Sequence, residues 1–547
     1  MNKYLFVTGG VCSSLGKGVA ASSLGALLES RGLNVRMIKC DPYLNVDAGT
    51  MNPHQHGEVY VTDDGAETDL DLGNYARFTE SPLSRINSIT TGQVYDAVIR
   101  KEREGRYLGR TVQVIPHITD EIKGRILAPG RDPDVDITIV EIGGTVGDIE
   151  SIPFLEAARQ LIHELGHINA LSVHLTLIPA VAGGELKTKP TQHSVKAMQE
   201  QGIQPDILVC RAPVLLDEPT RRKIALFTNV AAESVFTSYD IDTTIYEVPL
   251  VFHEQRFDQV VLEKLNVEAR HSDLRPWVAV MQRFKAMKGR LRIGLVGKYM
   301  ELDDAYKSVY EALFHAALAN AVAVEVVQVD SARLEQTANV DSVLGPSGEA
   351  LDAILVPGGF GERGVNGMVV AARWAREHGV PYFGICLGMQ IMVLDWGRNV
   401  LGWADANSTE FDSDTVHPVV SLLEEQIDVK NYGGTMRLGK SESRLEANTH
   451  IMAAYREPIV LERHRHRYEF SNTYRQEMQS SGLVLAAFTP DGSLVESVEW
   501  PDHPWGVGVQ FHPEFISKPT RPHPLFRDFV AAARLCQKTR LATREEK

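Results

Sequence analysis

Cysteine is scarce in this chain, and its few cysteines lie far apart. The 547 residues include five, with no C-x-x-C pair among them: Cys12, Cys40, Cys210, Cys386 and Cys536. This spacing matches neither the framework of a disulfide-rich secreted domain nor a cysteine-ligated metal site. The scarcity therefore predicts a protein of the reducing cytoplasm.

Long apolar runs and an excess of basic residues are also missing. No apolar stretch reaches the length that spans a bilayer, and the run YLFV near the amino terminus is too short for a signal sequence. The formal net charge is −15, which argues against a general nucleic-acid or membrane surface. We therefore expect neither of these partners, and we expect any phosphate group to be held in a local pocket of backbone N–H groups and lysines.

The length exceeds what one hydrophobic core usually supports. Short β-branched runs alternate with helical patterns from Lys3 to about Val251, and a second such series begins at LRIGLVGKY. This alternation predicts two doubly wound α/β domains. We place the domains at residues 1–267 and 291–536, a linker with a helical core at 268–290, and a disordered tail at 537–547.

Cys386 occupies the centre of GICLG, which fits the G-x-S-x-G nucleophile elbow with cysteine in the serine position. The glycines permit a sharp turn from strand to helix, and the helix N-terminus favours the thiolate. A lone cysteine on an apolar strand is more often a structural core residue, but the flanking glycines argue against that here. Cys386 is therefore a candidate nucleophile.

The segment QFHPEF offers a base and an orienting group for that nucleophile. In an extended chain, His512 and Glu514 point to one face, so Glu514 can hold the imidazole in the useful tautomer. HPE could also be a plain turn. The segment PGGFG favours catalysis, because the N–H groups of Gly359 and Leu387 can form an oxyanion hole.

These three motifs, in this order, resemble the class I glutamine amidotransferase domain over about residues 292–530. The resemblance implies that Cys386 attacks the side-chain amide of glutamine and that His512 passes a proton to the departing ammonia. Glu410 and Arg467 match the positions that hold the substrate's ammonium and carboxylate, although HRHR by itself is more often a solvated basic strand. The other implied glutamine-binding residues are Gly359, Leu387, Gly388, Met389 and Gln390.

A second glycine-rich segment, TGGVCSSLGKGVAAS, follows the first strand and opens a helix, which is the setting of a phosphate-binding loop. A bland glycine turn is the alternative. Five residues separate Gly10 from Gly16 where the Walker pattern has four, and Gly18 stands where Ser or Thr normally ligates magnesium. We therefore expect carboxylates from elsewhere to hold Mg²⁺, with Asp71 and Glu141 as candidates.

Lysines and carboxylates recur in three further segments, MIKCDPYLN, GTVGDIES and GELKTKPTQHS. Each lysine taken singly is more often a surface residue. Together with Lys223, these lysines exceed what one ATP needs, which predicts a second phosphorylated substrate.

The segments GGVCSSLGKG, GAETDLDLG, EIGGTVGDIES and KTKPTQHS resemble the CTP synthase family, and the resemblance spans nearly the whole chain. It implies the last step of de novo CTP synthesis, in which ATP phosphorylates O4 of UTP and ammonia displaces the phosphate. It also implies that Lys39 neutralises charge at the transferring phosphoryl group and that Asp71 and Glu141 hold Mg²⁺. The implied ATP-binding residues are Ser14, Leu15, Gly16, Lys17, Gly18, Val19, Asp71, Asp240 and Ile241.

The same resemblance implies further sites and partners. The UTP- or CTP-binding residues would be Ser13, Asp148, Ile149, Glu150, Lys187, Thr188, Lys189, Pro190, Thr191, Gln192 and Lys223. Pro53, His56 and Val59 would line an ammonia passage; the histidines of this segment could instead bind metal, but no third ligand is evident. The family also implies stimulation by GTP through Arg437, inhibition by CTP, and a homotetramer.

Two other functions remain open from the residues alone. A P-loop switch or partitioning ATPase would use the first domain but would leave Cys386, His512 and Glu514 without a role. A cobyrinate-type amide synthase shares both domain types. The KTKPTQ cluster and the additional lysines favour a nucleotide acceptor over a corrinoid.

Overall fold

The computed structural model describes residues 2–13, 15–52, 56–300, 302–337, 339–345, 350–422 and 436–545. The chain divides into two compact units, Met1–Thr50 with Thr68–Met281, and Met51–Glu67 with Gln282–Lys547. This division differs from the predicted one, because the short segment Met51–Glu67 belongs to the second unit. The boundary also falls inside the predicted linker, within a helix.

A parallel seven-stranded sheet forms the centre of the first unit, and its strands are β1 (Lys3–Gly9), β2 (Val35–Asp41), β3 (Ser88–Thr90), β4 (Ile137–Ile142), β5 (Ala170–Leu177), β6 (Ile207–Ala212) and β7 (Val235–Tyr239). The order across the sheet is β3-β2-β4-β1-β5-β6-β7. The central strands are rich in β-branched and aromatic residues and are buried almost throughout, as in sheets covered on both faces. The predicted doubly wound architecture is confirmed.

Helices alternate with these strands along the chain, and several pack directly on the sheet. They are α1 (Lys17–Ser30), α2 (Asp71–Phe78), α3 (Thr91–Arg103), α4 (Thr119–Leu127), α5 (Ile152–Leu165), α6 (Lys189–Glu200), α7 (Glu218–Thr228), α8 (Val248–Glu254), α9 (Phe257–Leu265) and α10 (Arg275–Ala286). The carboxyl ends of β1, β2 and β4 lie side by side, so the residues that follow these strands meet at one edge.

The strands of the second unit include β8 (Arg290–Gly297), β9 (Ala323–Asp330), β10 (Ala353–Val356), β11 (Tyr382–Ile385), β12 (Asn407–Ser408), β13 (Pro418–Leu422), β14 (Arg437–Leu445), β15 (Ile459–His466), β16 (Tyr468–Phe470), β17 (Val484–Phe488), β18 (Val495–Glu499) and β19 (Gly506–Val509). Nine of these strands form the main sheet of this unit. Its order is β9-β8-β10-β11-β19-β18-β17-β14-β15, and β12, β13 and β16 form a separate small sheet. The first five strands are parallel, whereas β18, β17, β14 and β15 continue the sheet antiparallel. Two further short strands lie at Tyr60–Val61 and Glu67–Thr68.

The helices of the second unit are α11 (Lys307–Asn320), α12 (Ser331–Glu335), α13 (Asp341–Leu344), α14 (Val365–His378), α15 (Leu387–Asn399), α16 (His450–Tyr455), α17 (Arg475–Ser480) and α18 (Pro524–Glu545). Helix α18 corrects the predicted disordered tail, since residues 537–545 are helical. Gln537 anchors this stretch by donating to Arg290 O at 2.9 Å, and Arg540 donates to Leu351 O at 3.0 Å. Within the described ranges, we find no helix with the length and apolarity needed to cross a membrane.

Candidate active sites

The nucleophile elbow forms where strand β11 meets helix α15. Cys386, between them, has φ 52° and ψ −101°, a strained conformation for a residue with a side chain. A Cβ on Gly384 would lie 2.4 Å from the Gly388 carbonyl oxygen, and a Cβ on Gly388 would lie 2.1 Å from another backbone oxygen. Only glycine fits at both positions. The thiol therefore stands at the N-terminal end of a buried helix, where an anion is stabilised.

The HPE segment places a base beside this thiol. His512 Nδ1 lies 2.7 Å from Glu514 Oε1, and both side chains are buried. Burial alone would lower the pKa of His512, but the Glu514 carboxylate and Cys386 raise that pKa to about 10. The imidazole is therefore protonated at neutral pH, which suits a group that must give a proton to a leaving amine.

A cavity of about 80 Å³ contains the nucleophile. Its wall consists of Glu58, Val59, Tyr299, Ala305, Tyr306, Val309, Pro357, Gly358, Gly359, Phe360, Cys386, Arg465, His512, Glu514 and Phe515. Val59, predicted to line an ammonia passage, thus shares a cavity with Cys386. His56 is exposed and is not part of this wall, and Pro53 lies outside the described residues.

A second cluster in this unit lies around Glu410. The Gly361 N–H donates to Glu410 Oε1 at 2.7 Å. Burial raises the pKa of Glu410, and the Gly361 N–H, Lys298 and Arg467 oppose that rise. Lys298 Nζ donates to Phe360 O at 3.2 Å and also contacts Gly361 O, while burial lowers the pKa of Lys298 to about 8. Arg467 therefore acts electrostatically on Glu410, the other residue expected to hold free glutamine, and Lys298 is an addition that the sequence motifs did not identify.

Gln510 is another residue that the motifs missed. Its Nε2 lies 3.6 Å from Cys386 Sγ, and its Oε1 lies 3.4 Å from Gln390 Nε2. Gln390 Nε2 also donates to Tyr468 O at 3.1 Å. The Gln390 side chain, expected to bind glutamine, therefore supports the surroundings of the thiol. Gln510 stands two residues before the HPE histidine, which is the signal that could have indicated it.

The phosphate-binding loop of the first unit ends at Gly16, whose φ of 85° is readily adopted by glycine. Helix α1 begins at Lys17, and Lys17 Nζ donates to Gly144 O at 2.7 Å. Burial lowers the pKa of Lys17, and the charge of Glu141 opposes this effect. Leu15, a residue of this loop, is buried, and Ser14 lies outside the described residues.

Lys39 joins the predicted metal carboxylates into one buried cluster. Its ammonium is ion-paired with Asp71 and lies 3.2 Å from Asp41 Oδ1 and 3.9 Å from Glu141 Oε1. Burial would lower the pKa of Lys39, but the three carboxylates raise it well above its ordinary value. Tyr75 OH donates to Glu141 Oε2 at 2.5 Å. The structure thus brings Lys39, Asp71 and Glu141 together and adds Asp41 and Tyr75.

The departure from the Walker pattern has a spatial explanation. A Cβ on Gly18 would lie 3.0 Å from Asp71 Oδ1, so a carboxylate stands where a Ser or Thr side chain would extend. Burial raises the pKa of Glu141, and it raises that of Asp41 to about 7. Three carboxylates, those of Asp41, Asp71 and Glu141, surround the single ammonium of Lys39. Such a donor set fits Mg²⁺, which proteins usually bind through one or two carboxylates together with substrate phosphates. No group of three or more His, Cys, Asp or Glu side chains in the described ranges is arranged to hold a metal without a substrate.

The residues expected to bind a pyrimidine nucleotide fall into two groups. Those exposed to solvent are Ser13, Asp148, Ile149, Glu150, Lys189 and Lys223. Lys189 and Pro190 begin helix α6, and the partly exposed Lys187 forms a 2.6 Å ion pair with Glu185. Thr191 is buried and donates to Leu177 O at 3.1 Å, and Gln192 Nε2 donates to Thr188 Oγ1 at 3.2 Å. The side chains of Thr191 and Gln192 therefore hold the helix start in place.

Other expected positions are more scattered. Val19 lies in the first turn of α1. Asp240, expected near adenine together with Ile241, is exposed and pairs with Arg211 at 2.5 Å.

His174 links the phosphate loop to helix α6 and was not identified from the sequence. Its Nδ1 lies 2.8 Å from Thr8 Oγ1 at the end of β1, and its Nε2 lies 2.8 Å from Ser194 Oγ. Burial and the charge of Lys17 lower the pKa of His174 to about 3. A neutral histidine therefore connects the strand that leads into the loop with the helix that begins at the KTKPTQ cluster.

Arg437, the residue expected to respond to GTP, belongs to a buried ionic cluster. Its Nη1 lies 2.5 Å from Glu496 Oε1 and 3.8 Å from Glu469 Oε1. Burial raises the pKa of both carboxyl groups, that of Glu469 to about 8, and Arg437 opposes the rise. Residues 423–435, which precede this position, lie outside the described residues. Arg437 therefore has a structural contact that the motif GGTMRLG does not indicate.

Comparison with known proteins decides the family. Residues 3–267 match the family model "CTP synthase N-terminus", and residues 301–532 match "Glutamine amidotransferase class-I". The chain is 54% identical over 532 residues to a CTP synthase of Clostridium acetobutylicum, covering 97% of this chain and 98% of that protein. The chain belongs to the CTP synthase family. A CTP synthase of Geobacter sulfurreducens is 55% identical over 533 residues, with the same two coverages.

A solved structure of the Trypanosoma brucei CTP synthase glutaminase domain with bound acivicin is 42% identical; it covers 45% of this chain and 94% of that domain, with a TM-score of 0.41. As a CTP synthase, the enzyme is a glutamine-hydrolysing ligase that converts UTP to CTP. The switch ATPase and the cobyrinate-type amide synthase are accordingly set aside.

Proposed function

We propose that the enzyme divides its reaction between the two units, with ammonia made at Cys386 and consumed at the Lys17 and Lys39 cluster. The observation that carries the proposal is that each unit assembles a separate set of buried reactive groups. The second unit buries a thiol, an imidazolium and a carboxylate around one cavity. The first unit buries lysines and carboxylates beside a phosphate-binding loop.

Glutamine hydrolysis follows from the groups around the cavity. The Cys386 thiolate attacks the side-chain carbonyl carbon of glutamine, and the N–H groups of Gly359 and Leu387 stabilise the resulting oxyanion. His512, held by Glu514, gives its proton to the departing nitrogen, so ammonia leaves and a thioester remains. Water then attacks the thioester, releasing glutamate and restoring the thiol.

Glu410 and Arg467 bind the ammonium and carboxylate of glutamine in this scheme. Support comes from their electrostatic proximity and from the Gly361 N–H that orients Glu410. Lys298 holds the carbonyl groups of Phe360 and Gly361, which follow the oxyanion donor directly in the chain. We assign further glutamine contacts to Gly388, Met389 and Gln390.

UTP activation follows from the groups of the first unit. Lys17 binds the ATP phosphates, and Lys39 neutralises charge on the phosphoryl group that moves to O4 of UTP. Asp71 and Glu141 would hold Mg²⁺, which when bound neutralises charge on the phosphates. Ammonia displaces phosphate from the 4-phospho-UTP intermediate and forms CTP. The exposed Lys189 and Lys223 and the partly exposed Lys187 are available to the phosphates of the second nucleotide.

Several further roles complete the proposal. Val59 forms part of the ammonia passage, because it shares a cavity wall with Cys386. GTP stimulates glutamine use through Arg437, CTP inhibits the enzyme, and the enzyme is a cytoplasmic homotetramer. These assignments rest on the family.

An assay of the purified enzyme with UTP, ATP and Mg²⁺ tests the proposal. Either glutamine or an ammonium salt serves as nitrogen donor, and CTP, ADP, phosphate and glutamate are measured. We expect both donors to yield CTP and ATP to be split in step with CTP. Glutamine hydrolysis without CTP formation under any donor would contradict the proposal.

A further inference from the structure

Arg463, on strand β15, holds the segment Met51–Glu67 within the second unit. Its side chain is almost completely buried, with 8% of the residue exposed. Nη1 donates to Tyr60 OH at 2.5 Å and to Val61 O at 3.0 Å, and Nε donates to Asp63 Oδ1 at 2.7 Å. The guanidinium also lies 5.2 Å from the centre of the Tyr60 ring. One side chain therefore binds three residues of the segment, Tyr60, Val61 and Asp63.

Tyr60 extends this contact to the catalytic histidine. Its hydroxyl donates to Phe515 O at 3.0 Å, and the two rings meet edge to face at 5.2 Å. The Phe515 ring in turn stacks on His512, with centroids 5.2 Å apart and planes at 15°. The backbone of Arg463 contributes directly, because the His512 N–H donates to Arg463 O at 2.8 Å. Arg463 and Tyr60 therefore connect the segment to the base that releases ammonia.

The residues just before Tyr60 form part of the wall of the cavity that contains the nucleophile. Val59 and Glu58 both line the cavity that contains Cys386. Glu58 is buried and accepts hydrogen bonds from Ser308 N at 2.8 Å and from Ser308 Oγ at 2.5 Å. The wall is thus held at Glu58 by the first turn of α11 and at Tyr60 by Arg463.

The arginines of ERHRHRYE have different partners. Arg463 pairs with Asp63, and Arg465 Nε donates to Glu67 Oε1 at 2.8 Å, so both bind carboxylates of the segment. Arg467, in contrast, acts electrostatically on Glu410, the expected glutamine ligand. Arg463 therefore contacts the segment Met51–Glu67, whereas Arg467 acts on the expected glutamine pocket.

We propose that Arg463 is a positioning residue for ammonia transfer. Through Tyr60, it keeps the Val59 wall closed against His512, so that ammonia released at Cys386 enters the passage and does not escape to water. The inference rests on the proposed role of Val59 in that passage. Arginine suits this task because its planar group donates in several fixed directions, which lysine cannot do.

The test compares two products in one reaction containing UTP, ATP, Mg²⁺ and glutamine. Arg463→Met removes the donors, and Arg444→Met is the matched control, since Arg444 is half-exposed on the neighbouring strand β14. We expect Arg463→Met to lower the CTP formed per glutamate released by about threefold or more, because small displacements around a reacting centre have large effects. Synthesis from an ammonium salt should match the parent, and the control should keep the parent ratio.

Tyr60→Phe is a second test variant in case Arg463→Met does not fold, because it removes only one hydroxyl. We expect the ratio to fall in the same direction by about twofold, since the contacts of Arg463 with Val61 and Asp63 remain. An unchanged ratio in both variants would overturn the proposal. A parallel loss of glutamate and CTP, with the ratio unchanged, would also overturn it, because that result means a general structural role.

Val59→Phe separates this inference from the proposed passage. If it lowers the ratio while Arg463→Met and Tyr60→Phe do not, the passage stands and the role of Arg463 is rejected. If it leaves the ratio unchanged while both other variants lower it, the Val59 assignment is rejected, and with it the route through the Val59 wall that we propose for Arg463.

Discussion

The ammonium of Lys39 and the carboxylate of Asp71 form a direct ion pair beside the phosphate-binding loop. Asp71 also lies against Gly18, at the place where a Walker loop would carry a hydroxyl. One carboxylate therefore contacts the proposed phosphoryl-binding lysine and occupies the space where a Walker loop has its Ser or Thr side chain. Because Asp71 makes both contacts, we expect its substitution to affect every reaction that uses ATP.

Asp71→Asn and Glu141→Gln should each abolish CTP synthesis with glutamine and with ammonia, because both nitrogen donors depend on the same phosphoryl transfer. CTP formation is measured over a range of Mg²⁺ concentrations. Asp132→Asn, which changes a half-exposed carboxylate paired with Arg36, is the control and should behave like the parent. Normal Mg²⁺-dependent turnover in both test variants would reject the metal assignment.

Cys386→Ala should remove glutamine hydrolysis and glutamine-dependent CTP formation, the former by several orders of magnitude, as for other catalytic nucleophiles. The same variant should still form CTP when ammonia is added at a pH where enough of it is unprotonated. Cys536→Ala, a remote and only partly buried thiol, serves as control.

Lys17→Ala should lose both routes, since it acts where the acceptor is activated. Loss of the ammonia route in a folded Cys386→Ala protein would disprove the division between a unit that supplies ammonia and one that consumes it.

Glu514→Gln should move the alkaline limit of glutaminase activity to lower pH. Burial alone lowers the pKa of His512, and the Glu514 carboxylate is the leading influence that raises it, together with Cys386, to about 10. Without that carboxylate the imidazolium loses its proton at lower pH, so the acid that protonates the departing amide nitrogen is lost at lower pH. The kcat for glutamate release is measured against pH, with Glu446→Gln, at a half-exposed position, as control. An alkaline limb at the parent's pH would contradict the assigned role of Glu514.

Arg437→Ala should reduce GTP stimulation of glutamine use while ammonia-driven synthesis stays near the parent level. The variant should also unfold at lower temperature, because the buried carboxyl group of Glu496 loses the cation that pairs with it. Arg444→Ala, at a half-exposed position of the same strand, controls for loss of an arginine. A GTP response equal to that of the parent would refute the assignment.

The catalytic motifs could be predicted because each one is contiguous in the chain. Cys386 between its glycines and His512 near Glu514 depend on backbone geometry over a few residues, so spacing alone indicates the turn and the shared face. The phosphate loop before α1 is local in the same sense. Lys298 has no comparable signal, because its partners, the carbonyl groups of Phe360 and Gly361, lie more than 60 residues away in sequence.

The sequence by itself determined the two α/β units, the nucleophile elbow and the phosphate loop, since local periodicity and glycine spacing specify them. Tertiary structure alone decided that Met51–Glu67 joins the second unit. The buried guanidinium of Arg463 donates to Asp63 of this segment, and the two residues lie 400 positions apart in sequence. It also placed Asp71 against Gly18 and kept α18 helical to Glu545. Long-range packing and pairing of buried charge control these features, and neither leaves a periodic trace in the chain.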